Sequence, residues 1–195
     1  MVIGITGGIG AGKSVVSRVL RCRGYEVYDC DAEAKALMDA SDEIKMAIAS
    51  RLGQECLGTD GSLNRRHIAG VVFADAAHRG WLNTLVHAKV HEDLERRIAN
   101  SGSNPFFVES AILHTSHLDL KCDQVWIVDA PEPVRLARAV ARDGADEQEV
   151  RRRMAAQASE LDEIEAPTTT IDNGGHLALL PQIDILLENS KLLKI

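Results

Sequence analysis

An α/β fold built on a parallel sheet is what the sequence predicts, and three observations predict it. A short apolar strand (Val2 to Thr6), a glycine-rich turn, a helix from Lys13 and a strand signal at Tyr25 to Tyr28 make one βαβ unit. Strand signals return at Phe106 to Val108, Gln124 to Val128 and Thr168 to Ile171, separated by helical periodicity rather than hairpin turns. Between the second and third strands the pattern is helical throughout, which reads as a helical insertion in an otherwise alternating chain.

Each element has a local reason. Val2 to Thr6 is an unbroken apolar run ending in glycine, as a buried strand is. The first helix carries Val15 and Val19 on one stripe with Val16 and Leu20 beside it, and Gly24 is placed to end it. Ala32 to Ala40 and Asp42 to Leu52 are short helices, followed by a turn at Gly58-Thr59-Asp60-Gly61. Asn64 caps a helix carrying Ile68, Val71 and Val72. Asp75 caps a longer one carrying Leu82, Val86, Val90, Leu94 and Ile98. Ser101-Gly102-Ser103-Asn104-Pro105 breaks the chain before the third strand. Pro131 and Pro133 frame the start of a helix through Val134, Leu136 and Val140, and an arginine-rich helix, Glu147 to Gln157, follows. After the last strand come a turn at Asn173-Gly174-Gly175 and a closing helix, Leu177 to Glu188.

The totals narrow the class. A chain of 195 residues with 45% hydrophobic and 26% charged residues has the composition of one compact globular domain. A net charge of -7 argues against a nucleic-acid-binding surface. The cysteines, Cys22, Cys30, Cys56 and Cys122, are not spaced like a zinc knuckle or a redox pair and read as reduced, packed thiols. No apolar run approaches the roughly 18 residues of a membrane span, and the start of the chain lacks the basic-then-apolar pattern of a signal peptide. The expectation is a cytoplasmic protein without nucleic-acid or membrane partners; the sequence leaves its oligomeric state open.

The turn after the first strand carries the chemistry. Gly7-Gly8-Ile9-Gly10-Ala11-Gly12-Lys13-Ser14 fits GxxxxGK[ST]. Gly8, Gly10 and Gly12 let the backbone fold tightly, so that successive N–H groups face an anion. The helix that begins at Lys13 and includes Val15 adds its positive end. Lys13 is a point charge for the β and γ phosphates. Ser14 offers a hydroxyl to Mg²⁺. Average residue usage produces this pattern by accident in roughly 0.7% of chains of this length, and the flanking strand and helix reduce that further. The glycines do not fit the dinucleotide fingerprint GxGxxG. The loop therefore predicts ATP with Mg²⁺ but leaves the reaction open among kinase, switch and motor.

Asp29 and Asp31 directly follow the second strand, where ligands of open α/β sheets gather. Either carboxylate can take a proton from a hydroxyl nucleophile or assist Mg²⁺ through water, and either can cap the helix expected from Ala32. Glu109, at the end of the third strand, is placed for Mg²⁺-bound water or for the acceptor. Asp129 reads equally as a metal-side carboxylate and as a helix cap. Arg135, Arg138 and Arg142 share one helix side. Of these Arg142 is read as functional, Arg138 stands open, and Arg151 and Arg152 read as a solvated face. Arg65 is a candidate for the acceptor's phosphates, with Arg66 equally a surface residue. His87 reads equally as an acceptor contact and as a packed histidine. Trp81 and Trp126 read as packing. No guanine-selective Asn-Lys-x-Asp run occurs, which disfavours a GTP switch.

In these motifs the chain resembles the dephospho-CoA kinases. The resemblance rests on Thr6 to Ser14, on Asp29-Cys30-Asp31-Ala32, and on Gly61 to Arg65 with Val72-Phe73. It continues in Leu82 to His87, Val128 to Pro131, Arg142-Asp143-Gly144, Arg153 to Gln157 and Ile171 to Gly174, in family order along nearly the whole chain. It implies ATP-dependent phosphorylation of the ribose 3′-hydroxyl of dephospho-CoA. The implied architecture is a three-layer P-loop core with a parallel sheet (about 1–31, 104–137 and 158–195), a helical acceptor-binding insert (about 32–103) and a small lid (about 138–157). It further implies that Asp31 is the catalytic base, that Arg142 meets the ATP phosphates, and that Asn173 lies at the adenine region. Lys35, Asn64, Ala88 and Glu109 stand where the family usually has Arg, Asp, Pro and Asp, and the resemblance implies that Lys35 takes the place of an arginine that meets the acceptor's phosphate. These departures fall on the acceptor side and leave the phosphate loop intact.

Overall fold

β1 (Val2–Thr6) is the central strand of a five-stranded, all-parallel sheet in the order β2-β3-β1-β4-β5. The other strands are β2 (Val27–Asp29), β3 (Phe106–Glu109), β4 (Gln124–Asp129) and β5 (Thr168–Asp172). The computed structural model describes residues 1–102, 105–161 and 163–192, so Ser103 and Asn104 of the expected break lie outside the described residues. The helices are α1 (Lys13–Cys22), α2 (Cys30–Ala40), α3 (Asp42–Leu52), α4 (Arg65–Ala74), α5 (Ala76–Asn100), α6 (Glu132–Asp143), α7 (Glu147–Ala156) and α8 (Leu179–Leu192). The chain forms two compact units, Met1–Asp29 with Ser101–Ile195, and Cys30–Asn100.

The first unit holds the sheet. Ile3, Ile5, Phe107, Trp126, Val128 and Ile171 project from the strands into one core with Val16 and Leu20 of α1 and Ile183 and Leu187 of α8. Buried strands of a parallel sheet are covered on both faces, which is why they read as continuous apolar runs. Trp126 is a packing residue, stacked at a tilt on Phe107 with ring centroids 5.2 Å apart. An ion pair between Arg23 and Asp184 joins the end of α1 to α8.

Three local expectations are corrected. β2 occupies Val27–Asp29 rather than Tyr25 to Tyr28, because Tyr25 leaves the sheet and packs edge-on against Phe107. α2 begins at Cys30, so Asp31 lies inside its first turn rather than before it. On α1 the buried stripe is Val16 and Leu20, with Val19 beside it, while Val15 is 44% exposed.

The second unit is helical. Ile44, Ile48 and Leu52 of α3 pack with Cys56 and Leu63 of the connecting segment and Ile68 of α4, and Trp81, Leu82 and Leu85 of α5 lie against them. The Arg51 guanidinium lies 5.9 Å from the centre of the Trp81 ring, so Trp81 too is a packing residue. The cap residues behave as their chemistry demands. Asn64 Oδ1 accepts from the His67 N–H at 3.2 Å, and Asp75 Oδ1 accepts from the Ala77 N–H at 2.7 Å.

Candidate active site

The sheet order opens a crevice at the carboxyl ends of β1 and β3. The chain leaves β1 toward β2 on one side and leaves β3 toward β4 on the other, and ligands of open α/β sheets lie where that divergence occurs. The glycine loop fills one wall of it. Ala11 N donates to the Gly8 carbonyl at 3.1 Å, and Val15 N donates to the Gly12 carbonyl at 2.9 Å, so the loop runs directly into α1. Gly10 sits at φ 78°, and a Cβ there would lie 2.1 Å from the Arg135 carbonyl oxygen. Only glycine meets both demands.

The lysine and serine of the motif stand at the start of α1. Lys13 arches back, its Nζ donating to the Gly7 carbonyl at 2.6 Å. Ser14 is exposed. Asn173, in the turn after β5, holds the loop from the far end of the chain: its Nδ2 donates to the Ala11 carbonyl at 2.7 Å. The Asn173 turn is itself fixed, because Asp172 Oδ1 accepts from Gly174 N at 2.6 Å and Gln182 brackets the Asp172 backbone.

Asp29 and Glu109 are register partners across β2 and β3. Glu109 is 8% exposed, and its Oε2 is buried without a hydrogen-bond partner, as are the Ser17 and Thr6 hydroxyl oxygens. Burial pushes the Glu109 carboxyl above the usual glutamate range, and Asp29 adds to this; Ser17, Lys13 and Arg21 offset part of it. An acid whose folded pKa is raised costs stability when ionised. That cost is absent below the ordinary glutamate pKa, grows as pH rises through the folded value, and is complete above it. Glu109→Gln is therefore expected to raise the melting temperature at about pH 8 and to leave it unchanged at about pH 4. A shift of equal size at both pH values would refute an ionised, desolvated Glu109.

The arginines of α6 do different things. Arg135 Nε donates to the Ala130 carbonyl at 2.9 Å, and Arg138 Nη2 donates to the Asn173 carbonyl at 3.0 Å. Arg142 makes a two-pronged pair with Asp143 at 2.7 and 3.1 Å, and Arg153 of α7 shares the same carboxylate at 3.0 Å. The Arg142 guanidinium, with Arg153, holds the Asp143 carboxyl down at about 2. Arg151 and Arg152 are exposed and paired with Glu132, Glu147 and Glu149, as a solvated face requires. No side chain caps α6, so Asp129 is not its cap.

In the helical unit, Asp31 and Lys35 are exposed and one turn apart, on one face of α2. Arg65 reaches this helix, donating to Asp39 Oδ1 at 2.8 Å and to the Lys35 carbonyl at 3.3 Å. His87 is half-buried on α5, and desolvation with the neighbouring His91 lowers its pKa, so it is neutral near pH 7. The structure thus groups Asp31, Lys35 and Arg65, and leaves His87 on a separate helix.

The sequence reading gave two residues at the loop no role there. Gln157 Oε1 accepts from the Ile9 N–H at 2.9 Å, while its Nε2 donates to the Ala111 carbonyl at 2.6 Å. Arg135 lies against Gly8 and Gly10. The row of α6 arginines was a signal for Arg135, but only tertiary packing selects it from the row. Gln157 closes one of the motifs that carry the family resemblance, but its local spacing does not point to the loop.

Comparison with known proteins places the chain in a family. A family model described as dephospho-CoA kinase matches residues 1–178. A dephospho-CoA kinase from Porphyromonas gingivalis is 39% identical over 188 residues, covering 95% of this chain and 92% of that one. One from Methylococcus capsulatus is 34% identical over 194 residues, covering 99% and 98%. The solved dephospho-CoA kinase from Campylobacter jejuni superposes with a TM-score of 0.71 at 19% identity, covering 97% of each chain, a likeness of fold. With the phosphate loop built as its motif demands and the family match running through the sheet and the helical unit alike, the chain belongs to the dephospho-CoA kinase family.

Proposed function

We propose that the protein transfers the γ-phosphoryl group of ATP to the ribose 3′-hydroxyl of dephospho-CoA, giving CoA and ADP. The observation that carries this reading is the Gly7–Ser14 loop, folded as a phosphate cradle at the carboxyl end of β1 in a chain of this family. Gly8, Gly10, Ala11 and Gly12 present backbone to the phosphates, and Lys13 exchanges its loop carbonyls for phosphate oxygens. Val15 continues the first turn of α1 under the nucleotide. We assign Asn173 to the adenine side, where its grip on the Ala11 carbonyl fixes that edge of the loop. Arg142 meets the phosphates after giving up Asp143, an exchange of one anion for another that costs little charge.

Mg²⁺ suits the residues present. Oxygen donors are what a hard cation takes, and the chain offers the exposed Ser14 hydroxyl on the loop and the buried Glu109 Oε2, which has no hydrogen-bond partner, at the end of β3. Ser14 would hold the ion, with Glu109 and Asp29 fixing its waters. When bound, the ion neutralises phosphate charge and orients the transferred group.

Asp31 is proposed as the base that takes the 3′-hydroxyl proton. Lys35 and Arg65 hold the acceptor's own phosphates, Glu109 orients the acceptor, and His87 is its neutral, hydrogen-bonding contact. A coupled ADP-release assay across dephospho-CoA, AMP, CMP and pantothenate tests the acceptor. Turnover with dephospho-CoA is expected to exceed that with each of the others by orders of magnitude. Preference for AMP or CMP would replace this reading with that of a nucleotide kinase. In thermal-shift measurements ATP is expected to stabilise the protein; stabilisation by GTP alone would refute a kinase of this kind.

A further inference from the structure

Arg135 meets the phosphate loop from outside it. The first turn of α6 lies on the loop, so that a Cβ on Gly8 would fall 2.1 Å from Arg135 Nη1 and one on Gly10 would fall 2.1 Å from the Arg135 carbonyl oxygen. The guanidinium is therefore in contact with the Gly8 backbone. Its orientation is set at the other end, where Nε donates to the Ala130 carbonyl at 2.9 Å. The group also lines a cavity of about 290 Å³ with Gly8, Gln157 and Arg151.

The charge balance of that cavity is uneven. Glu132 lines it too, but is engaged by Arg151 at 2.7 Å, and Arg151 is further paired with Glu147. Arg142, Arg152 and Arg153 each have a carboxylate. Among the described residues, Arg135 has none: its hydrogen-bond partner is a neutral carbonyl. A half-buried guanidinium without a counter-ion is costly unless something else supplies the negative charge. Beside a loop that gathers phosphates, that charge is a phosphate group.

We infer that Arg135 is a contact residue for the terminal phosphate of the bound nucleoside triphosphate, the group that is transferred. The inference rests on the reading of Gly7–Ser14 as a triphosphate cradle and goes beyond it by naming which side chain distinguishes triphosphate from diphosphate. A guanidinium is permanently charged, and its planar fork matches phosphate oxygens. Held by Ala130 before the ligand arrives, it needs little reorganisation, which is the condition for stabilising charge spread over a transferring phosphoryl group. It also accounts for Gly8 as well as the motif's own glycines, since a side chain there would displace the guanidinium.

The test compares ATP and ADP binding by calorimetry, with turnover, in the wild-type enzyme, R135Q and R135K. R135Q is expected to weaken ATP binding about 10- to 100-fold, as loss of a charged hydrogen bond does. ADP binding should stay within about threefold, and turnover should fall. R135K should keep part of the ATP affinity. Equal losses for ATP and ADP would show that Arg135 only shapes the loop, and no loss for either would show that it does not meet phosphate; both overturn the inference. Wild-type enzyme that binds neither nucleotide would instead overturn the cradle reading. Should R135Q fail to fold by its unliganded melt, R135K carries the test, with a several-fold loss for ATP and none for ADP expected.

Discussion

Asp31→Asn is expected to lower turnover by about 10²- to 10⁴-fold while leaving the ATP affinity near that of the wild-type enzyme. The substitution removes a proton acceptor and keeps size and shape. Asp31 is exposed in the first turn of α2, so its replacement disturbs no core. The carboxylate also interacts favourably with the helix N-terminus, a contribution of about 0.3–1 kcal/mol, so a small fall in melting temperature accompanies the change. Steady-state kinetics with varied ATP and varied dephospho-CoA separate the effects. A base acts on the transferring proton, so the loss should appear in kcat at saturation by both substrates. Unchanged kcat would remove Asp31 from the mechanism. A loss confined to the KM for dephospho-CoA would make it an acceptor-binding residue instead.

Gly10→Ala is expected to abolish detectable nucleotide binding and to lower stability by about 2–4 kcal/mol. Two costs combine. Alanine disfavours the left-handed backbone at φ 78°, and its Cβ would press on the carbonyl of Arg135, which is helix backbone and cannot swing aside. The loop can relieve the clash only by moving away from α6, which turns its N–H groups from the phosphates. Misplacement of about 1 Å costs 10²-fold or more in rate. Calorimetric titration with ATP and a chemical denaturation curve check both parts. Wild-type affinity in this variant would show that the packing of α6 on the loop does not set its shape.

These expectations draw unequally on sequence and structure. Asn64 and Asp75 were readable as helix caps because a cap binds N–H groups only two or three residues away. Lys13 and Ser14 could be proposed from sequence because the GxxxxGK[ST] motif is built from consecutive residues. β2 was started two residues too early, because Tyr25 has strand-like chemistry and is drawn instead to Phe107 by ring packing. Arg135 stood in a row of similar arginines until the packing of α6 put it alone against Gly8. Gln157 and Asn173 reach the loop across 148 and 162 residues of chain, a separation no local pattern encodes.

By itself the sequence determined the phosphate loop, the alternation of strands and helices, the helical insertion and, through its motifs, the family. Those properties are written in spacings of a few residues, where backbone geometry and capping chemistry act. Only the tertiary structure decided that β1 lies between β3 and β4, that Glu109 is desolvated beside Asp29, and that Asn173, Gln157 and Arg135 converge on the loop. Burial and long-range contact depend on the packing of the whole core, and that packing is a property of the folded chain rather than of any segment of it.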